Sequence, residues 1–195
     1  MLVVFEGIDG SGKGTQAAML CEFLQGRQIF PSLHKYPTEN AKAAHAHLRG
    51  EASSSPEELF SSFTKDIKNE QAILHKEISS GKFVLLDRYV FSTVAYQGGA
   101  LGYERTRDAI KTLNFLQPDA VLLFDFPVQI SLARKGAQKT PDKFEEDAHF
   151  LEGVRSRYIR MAQEGFLCGR WHVIDASKNR QEVFENAKEC LLGLL

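Results

Sequence analysis

The sequence lacks several features that mark large classes of protein. Its three cysteines, Cys21, Cys168 and Cys190, are odd in number and widely spaced, which is typical neither of a zinc site nor of a disulfide framework. No apolar run approaches the roughly 20 residues that span a bilayer. The first residues lack the basic and apolar regions of a signal peptide. We therefore expect a cytoplasmic protein that makes no use of a membrane.

An excess of charge of either sign is also missing. The chain has 24 Lys and Arg residues against 25 Asp and Glu residues, for a formal net charge of −1. This balance argues against a polymeric nucleic acid as partner, although it says nothing about local clusters of charge. With 195 residues, of which 43% are hydrophobic, the chain is predicted to form one domain over residues 1–195.

Short apolar runs alternate with stretches of helical periodicity. Four runs resemble buried parallel strands and a fifth is weaker: Leu2–Phe5, Phe83–Leu86, Ala120–Phe124, Val173–Ile174 and, as the weaker one, Ile29–Leu33. Helices are predicted over Thr15–Leu24, from Pro56 to a stop at Gly81, and over Arg180–Leu195. The alternation predicts an α/β fold with a five-stranded parallel sheet and helices on both faces.

A glycine-rich turn follows the first predicted strand and precedes the first helix. It reads Gly7-Ile8-Asp9-Gly10-Ser11-Gly12-Lys13-Gly14-Thr15, the pattern of a P-loop that binds a nucleoside triphosphate. Its glycines let backbone N–H groups point inward, and the helix amino terminus favours a polyphosphate. We therefore expect a nucleoside triphosphate to contact Gly10, Ser11, Gly12, Lys13, Gly14 and Thr15, with Lys13 also a catalytic residue at the β- and γ-phosphates.

The residues after the third predicted strand have the chemistry of a phosphate and metal site. Asp87 and Arg88 lie at the carboxyl end of that strand, where ligands of open α/β sheets bind. An aspartate there can order Mg²⁺, and an arginine can grip a second phosphate through two hydrogen bonds. The residue after Lys13, usually Ser or Thr, is Gly14, so we assign Thr15 together with Asp87 to the Mg²⁺ that accompanies ATP.

Several segments in a fixed order resemble the thymidylate kinase family, a group of nucleoside monophosphate kinases with a three-layer P-loop kinase fold. The matching segments cover nearly the whole chain: Phe5 to Gln16, Asp87-Arg88-Tyr89 with Ser92 and Ala95-Tyr96-Gln97, Pro118-Asp119, Asp142-Lys143-Phe144-Glu145, and Ile174-Asp175-Ala176-Ser177. The Ala-Tyr-Gln segment is the most specific, since it separates this family from adenylate kinases and GTPases.

The resemblance implies transfer of the γ-phosphoryl group of MgATP to dTMP, which gives dTDP and ADP, in a homodimer. It assigns Arg88 to the phosphate of dTMP and Asp9 to the 3′-hydroxyl, with Asp9 alternatively a turn-stabilising residue. It places Tyr96 against the sugar, Gln97 near the thymine and Phe63 in a stack on the base. Tyr96 and Gln97 are alternatively loop or core residues, and Phe63 alternatively a core aromatic, because it shares a helical stripe with other apolar residues.

The base site departs from the family pattern at one position. Ile67 stands where the family usually has an arginine for a thymine carbonyl. Isoleucine donates no hydrogen bond, so base reading is expected from Gln97 or Thr93, or from Lys65 or Lys68 in a shifted register. The base selectivity is therefore left open.

A second departure concerns the cation that usually accompanies the proline segment after the second strand. Here the segment reads Lys35-Tyr36-Pro37-Thr38-Glu39-Asn40, and Arg49 lies further along. We expect Lys35 to reach the acceptor phosphate weakly, as a point charge; alternatively it is merely solvated.

The P-loop contains no arginine, and a basic segment at about residues 134–147 resembles the lid of those family members that place their catalytic cation there. The candidates are Arg134, Lys135, Lys139 and Lys143, with Arg134 favoured because a guanidinium suits a spread phosphoryl charge. Arg155 and Arg157 follow and are further candidates. Alternatively, the cluster is a solvated charged surface.

Two other functions remain open at the level of sequence. A deoxyribonucleoside kinase, or a monophosphate kinase for another base, would use the same P-loop. A nucleotide-binding protein without catalysis is the alternative from another class, because a fold does not fix a function.

Overall fold

The computed structural model describes residues 1–130 and 148–195. Five described strands form one parallel sheet in the order β2-β3-β1-β4-β5. Their bounds are β1 Leu2–Glu6, β2 Ser32–Lys35, β3 Val84–Asp87, β4 Ala120–Asp125 and β5 Trp171–Asp175. The predicted α/β class with a five-stranded parallel sheet is confirmed.

The described helices surround this sheet in two groups. Their bounds are α1 Lys13–Gln25, α2 Lys42–Leu48, α3 Pro56–Ser79, α4 Val90–Leu101, α5 Tyr103–Thr112, α6 Ala148–Glu164 and α7 Arg180–Leu192. Helix α1 packs against α7, whereas α4 packs against α3, α5 and α6. The predicted helices at Thr15, Pro56 and Arg180 correspond to α1, α3 and α7, with ends shifted by no more than a turn.

The central strands are buried on both faces because their sequences are almost entirely apolar. Val4 of β1 pairs with Leu86 of β3 on one side and with Val121 of β4 on the other, and all three side chains are fully buried. Burial of these branched side chains on both faces stabilises the central strands. It also fixes the register, so the carboxyl ends of β1, β3 and β4 meet at one edge of the sheet.

The two edge strands differ from the sequence prediction. The weak fifth strand was predicted at Ile29–Leu33, but β2 begins only at Ser32, after Pro31, and alternates between exposed and half-buried residues. A proline has no N–H for the ladder, which explains the later start. At the other edge, Val173 is 52% exposed, so β5 is not buried on both faces as its apolar residues suggested.

Candidate active site

The P-loop connects the buried end of β1 to the amino terminus of α1. Gly7, Gly10 and Gly12 have φ values of 141°, 77° and 87°, a region that other residues rarely adopt. A Cβ on Gly7 would lie 2.5 Å from the carbonyl oxygen of Phe124 in β4. The loop therefore passes too close to the neighbouring strand for any side chain at this position.

The side chain of Lys13 folds back and contacts the loop that precedes it. Its Nζ donates hydrogen bonds to the carbonyl oxygens of Gly7 at 2.8 Å and Ile8 at 3.0 Å, and to Ser11 Oγ at 3.3 Å. Burial, and next the charge of Arg88, lower the pKa of Lys13 to about 8. A buried ammonium with only neutral acceptors in contact is suited to exchange these bonds for those of a polyphosphate.

Arg88 follows the last residue of β3 and turns its side chain toward the P-loop. Its backbone is left-handed, with φ 73°, and its Nη2 forms an ion pair with Asp9 Oδ1. Nη1 donates to Ser92 Oγ at 3.1 Å, and the guanidinium lies 5.4 Å from the centre of the Tyr96 ring. Burial opposes the charge, but Asp9 and nearby anionic groups raise the pKa of Arg88 well above its usual value.

A cavity of about 280 Å³ opens beside Arg88. It brings together all the residues that the sequence assigned to the acceptor, which come from five different parts of the chain. The predicted residues on its wall are Asp9, Lys35, Phe63, Ile67, Arg88, Thr93, Tyr96 and Gln97. A cation at one point of the wall and aromatic and apolar side chains elsewhere suit a flat ring that carries a phosphate.

The α3 part of the wall resolves two of the alternatives for the base site. Phe63 is only half-buried and borders the cavity instead of the main core, while Ile67 is fully packed and borders it too. Lys65 and Lys68 do not line the cavity. The suggestion that a shifted register brings either lysine to the base is therefore wrong: Lys68 Nζ instead donates to the carbonyl oxygen of Leu113 at 2.7 Å.

The loop after β2 is held against the same cavity by Asp66 of α3. The Asp66 carboxylate accepts hydrogen bonds from Thr38 N at 2.8 Å and from Thr38 Oγ1 at 2.5 Å. Lys35, also on the wall, lies 3.9 Å from Asp87 Oδ2 and is largely exposed. Arg49 does not line the cavity and pairs with Glu51 at 2.7 Å.

A second cavity, of about 170 Å³, lies on the other side of the P-loop. Ser11, Gly12 and Thr15 form one wall, as the P-loop pattern predicts. Sequence analysis missed the opposite wall, which is formed by Ala176, Lys178, Arg180 and Val183. The signal was present, because Ile174-Asp175-Ala176-Ser177 spans the carboxyl end of β5, and the carboxyl ends of parallel strands bind ligands.

The predicted lid residues lie outside the described residues; they are Arg134, Lys135, Lys139 and Lys143, within the segment proposed at about residues 134–147. The two further candidates on α6 are engaged in contacts within the fold. Arg155 donates to both carboxylate oxygens of Asp125, at 2.6 Å and 2.9 Å. Arg157 Nε donates to the carbonyl oxygen of Ala95 at 2.5 Å.

Two features are absent from residues 1–130 and 148–195. No group of three or more His, Cys, Asp or Glu side chains in these ranges is placed to hold a metal ion. No helix in them is both long enough and apolar enough to cross a membrane.

Comparison with known proteins identifies the family. Residues 5–187 match the family model described as Thymidylate kinase. The chain belongs to the thymidylate kinase family. A Thymidylate kinase of Burkholderia cenocepacia is 31% identical over 204 residues, covering 98% of this chain and 97% of that protein. A Thymidylate kinase of Burkholderia thailandensis is 30% identical with the same coverage. Membership of the thymidylate kinase family makes the chain a kinase, as the sequence motifs predicted.

Proposed function

We propose that the larger cavity binds dTMP, that the smaller cavity receives ATP, and that the γ-phosphoryl group passes between them to give dTDP and ADP. Phosphorylation of dTMP follows from membership of the thymidylate kinase family. The assignment of the cavities is supported by one observation. They flank a single P-loop, with Asp9 on the larger cavity and Ser11 on the smaller, and the larger one contains Arg88.

In this proposal Arg88 grips the phosphate of dTMP. The guanidinium offers a planar set of donors that matches a phosphate, and its position beside the P-loop brings two anions together in spite of their repulsion. Asp9, now paired with Arg88, accepts a hydrogen bond from the 3′-hydroxyl of the bound nucleotide. The exposed Lys35 adds a weaker positive charge at the edge of the same cavity.

The remaining wall residues orient the nucleoside. Phe63 stacks on the thymine, and Tyr96 packs against the sugar. Gln97, which is nearly fully buried, donates and accepts hydrogen bonds at the base, together with Thr93. Because Ile67 contributes no hydrogen-bond donor, these two side chains make the hydrogen bonds that distinguish one base from another.

On the donor side, the P-loop holds the polyphosphate of ATP. The N–H groups of Gly10, Ser11, Gly12, Gly14 and Thr15 and the positive end of α1 favour the phosphates. Lys13 exchanges its bonds to Gly7 and Ile8 for the β- and γ-phosphates and so stabilises the charge that moves during transfer. The lid residue Arg134 is proposed, from the sequence alone, as a further catalytic cation.

The residues assigned to Mg²⁺ fit such an ion. Asp87 Oδ1 is buried and has no hydrogen-bond partner among residues 1–130 and 148–195, and a carboxylate oxygen is the ligand type that Mg²⁺ prefers. Asp87 and Thr15 would hold the ion, Thr15 through its hydroxyl. When bound there, Mg²⁺ neutralises charge on the β- and γ-phosphates.

ADP release with MgATP and a panel of acceptors tests this function. The panel is dTMP, dUMP, dGMP, CMP and thymidine, and we expect dTMP to be preferred. No ADP release that depends on a monophosphate would overturn the kinase assignment, and preference for a purine would overturn the thymidylate one. Preference for thymidine would identify a deoxyribonucleoside kinase, which needs no grip on an acceptor phosphate.

Arg88→Ala provides the first mutational prediction. Loss of the phosphate grip should lower kcat/KM for dTMP by about 100-fold or more, since transition-state donors contribute on this scale. Arg88→Lys should recover only part, because a lysine lacks the planar fork. Arg49→Ala, which removes an exposed arginine outside both cavities, is the matched control and should leave the rate unchanged.

Three further properties belong to the same proposal. We propose a homodimer, a single domain over residues 1–195 with a lid at about 134–147, and a cytoplasmic location, where ATP and dTMP are both present. The homodimer is supported by family resemblance. Sedimentation equilibrium on the full chain tests it, and a monomer at micromolar concentration would contradict it.

A further inference from the structure

Glu6, the last residue of β1, is a carboxylate with no exposed surface. It lines neither cavity, and the reaction proposed above makes no use of it. Burial of a charged group is costly unless hydrogen bonds compensate for it. The contacts of Glu6 therefore call for an explanation.

One oxygen of this carboxylate binds the backbone of the turn that carries Arg88. Glu6 Oε1 accepts hydrogen bonds from Tyr89 N at 2.8 Å and from Ser92 N at 3.2 Å. These N–H groups belong to Tyr89, the residue before α4, and to Ser92 in its first turn; Ser92 N also donates to the carbonyl oxygen of Tyr89 at 3.1 Å. Glu6 thus fixes the start of α4 from another strand, directly after the left-handed Arg88.

The other oxygen reaches the guanidinium through a serine. Glu6 Oε2 accepts from Ser92 Oγ at 2.6 Å and from Tyr158 OH at 2.8 Å. Ser92 Oγ in turn accepts from Arg88 Nη1 at 3.1 Å. When Glu6 is ionised it only accepts hydrogen bonds, so the Ser92 hydroxyl donates to it and a lone pair of Ser92 Oγ is left for Arg88 Nη1. Ser92 Oγ also lies 2.8 Å from Tyr158 OH.

Burial is the largest influence on the pKa of the Glu6 carboxyl, and its polar contacts offset only part of it. Burial raises the pKa of Glu6, while the hydrogen bond from Ser92 and the positive charge of Arg88 act against that rise. Asp9 holds the other side of the guanidinium through Nη2. On the Nη1 side the guanidinium donates to Ser92 Oγ at 3.1 Å and, at the longer distance of 3.5 Å, to the carbonyl oxygen of Gly7.

We propose that Glu6, acting through Ser92, is a positioning residue that orients the Arg88 guanidinium toward the phosphate of the acceptor. This inference rests on the proposed role of Arg88 as the grip on dTMP. It predicts that loss of the Glu6 charge weakens the binding of a phosphorylated nucleoside but not of the nucleoside itself. A role limited to stabilising the fold would weaken both ligands alike.

The experiment compares dTMP with thymidine by titration calorimetry on the full chain. Glu6→Gln keeps the size and shape of the side chain and removes its charge. We expect the dissociation constant for dTMP to rise about tenfold, the scale of one charge-assisted hydrogen bond, and that for thymidine to change less than twofold. Equal weakening of both ligands, or no change in either, overturns the proposal.

Two further variants guard against a misleading result. Asp119→Asn is the matched control. Like the Glu6 carboxylate, the Asp119 carboxylate accepts a hydrogen bond from a backbone N–H, here that of Leu2 at 2.7 Å, but it lies at the opposite end of β1. In an Arg88→Ala background, Glu6→Gln should no longer alter the ratio of the two affinities. If it still does, Glu6 acts by another route and the proposal fails.

Ser92→Ala removes the link itself and gives the same comparison should Glu6→Gln not fold. The same loss of preference for dTMP is expected, and an unchanged preference overturns the proposal. A different outcome would refute the proposed function itself. If the wild-type chain binds thymidine as tightly as dTMP, Arg88 does not bind the phosphate of the acceptor.

Discussion

The buried Lys13 makes the nucleotide site sensitive to pH. Its pKa of about 8 lies below the usual lysine value because burial, and then Arg88, disfavour the ammonium. Above pH 8 Lys13 is mostly neutral in the nucleotide-free protein, so it must bind a proton before its ammonium group can contact the phosphates. We expect the affinity for ATP to fall about tenfold between pH 7 and pH 9, as measured by calorimetry without acceptor.

Lys13→Arg is the control for this prediction, because a guanidinium keeps its charge throughout the range. Its ATP affinity should be independent of pH, and an equal decline in both proteins would contradict the assignment to Lys13. The same shift affects stability. Between pH 8 and 10.5 the unfolded chain retains a proton that the native Lys13 has released, so this residue makes the free energy of unfolding rise with pH in that window.

Gly12 and Gly14 of the P-loop differ in backbone conformation but not in the space available for a side chain. A Cβ at either position meets no atom within 4 Å, but Gly12 has φ 87° while Gly14 lies in the first turn of α1. We expect Gly14→Ala to raise the free energy of unfolding by about 0.5–1 kcal/mol. Gly12→Ala should lower it by about 1–2 kcal/mol. Urea denaturation measures both, and effects of equal sign would show that φ is not decisive.

At the scale of elements, the capping box of α3 stabilises the helix that contributes Phe63 and Ile67 to the cavity. Ser55 Oγ accepts from Glu58 N at 3.2 Å, and Glu58 Oε2 accepts from Ser55 N at 2.7 Å. Ser55→Ala should cost about 1 kcal/mol, or about 2–4 °C in Tm for a chain of this length. Ser53→Ala, two residues earlier in the exposed loop, is the control and should leave Tm unchanged in the same thermal scan.

The elements that could be predicted from sequence are those whose own residues determine their environment. Val3 and Val4 are apolar on both sides of the strand, so β1 could be identified without knowledge of its neighbours. The bounds of β2 could not, since Leu33 faces solvent at a sheet edge and its placement depends on pairing with Leu85. The strand propensity of the residues is a weak guide where pairing with a neighbouring strand determines the conformation.

The candidate site shows the same division. Lys13 and Arg88 follow buried strands, and their place at the sheet edge could be inferred from that fact alone. The ion pair of Arg88 with Asp9 and the Glu6 contacts could not, because they join residues 79 to 152 positions apart through side-chain rotamers. The wall formed by Lys178 and Arg180 was missed for a related reason: it completes a cavity only once β5 lies beside β4.

At the scale of the whole molecule, the sheet order places two ligand cavities on opposite sides of one loop. β1 lies at the centre, so the P-loop that follows it has the ends of β2 and β3 on one side and those of β4 and β5 on the other. The larger cavity uses Lys35 and Arg88 from the first side, and the smaller uses Ala176 from the second. Both cavities are thus lined by parts of the chain that come together only in the folded protein.

This arrangement predicts that each substrate stabilises the fold and that the two effects are separable. A ligand at about 100 times its dissociation constant adds about 2.7 kcal/mol, which corresponds to a rise in Tm of about 5–11 °C here. We expect dTMP to raise Tm far more than thymidine at equal concentration, because only dTMP reaches Arg88. Arg88→Ala should abolish most of the dTMP shift and retain the ATP shift, since ATP binds across the loop. Thermal scans with each ligand measure both, and equal loss of the two shifts would mean that the cavities are not independent sites.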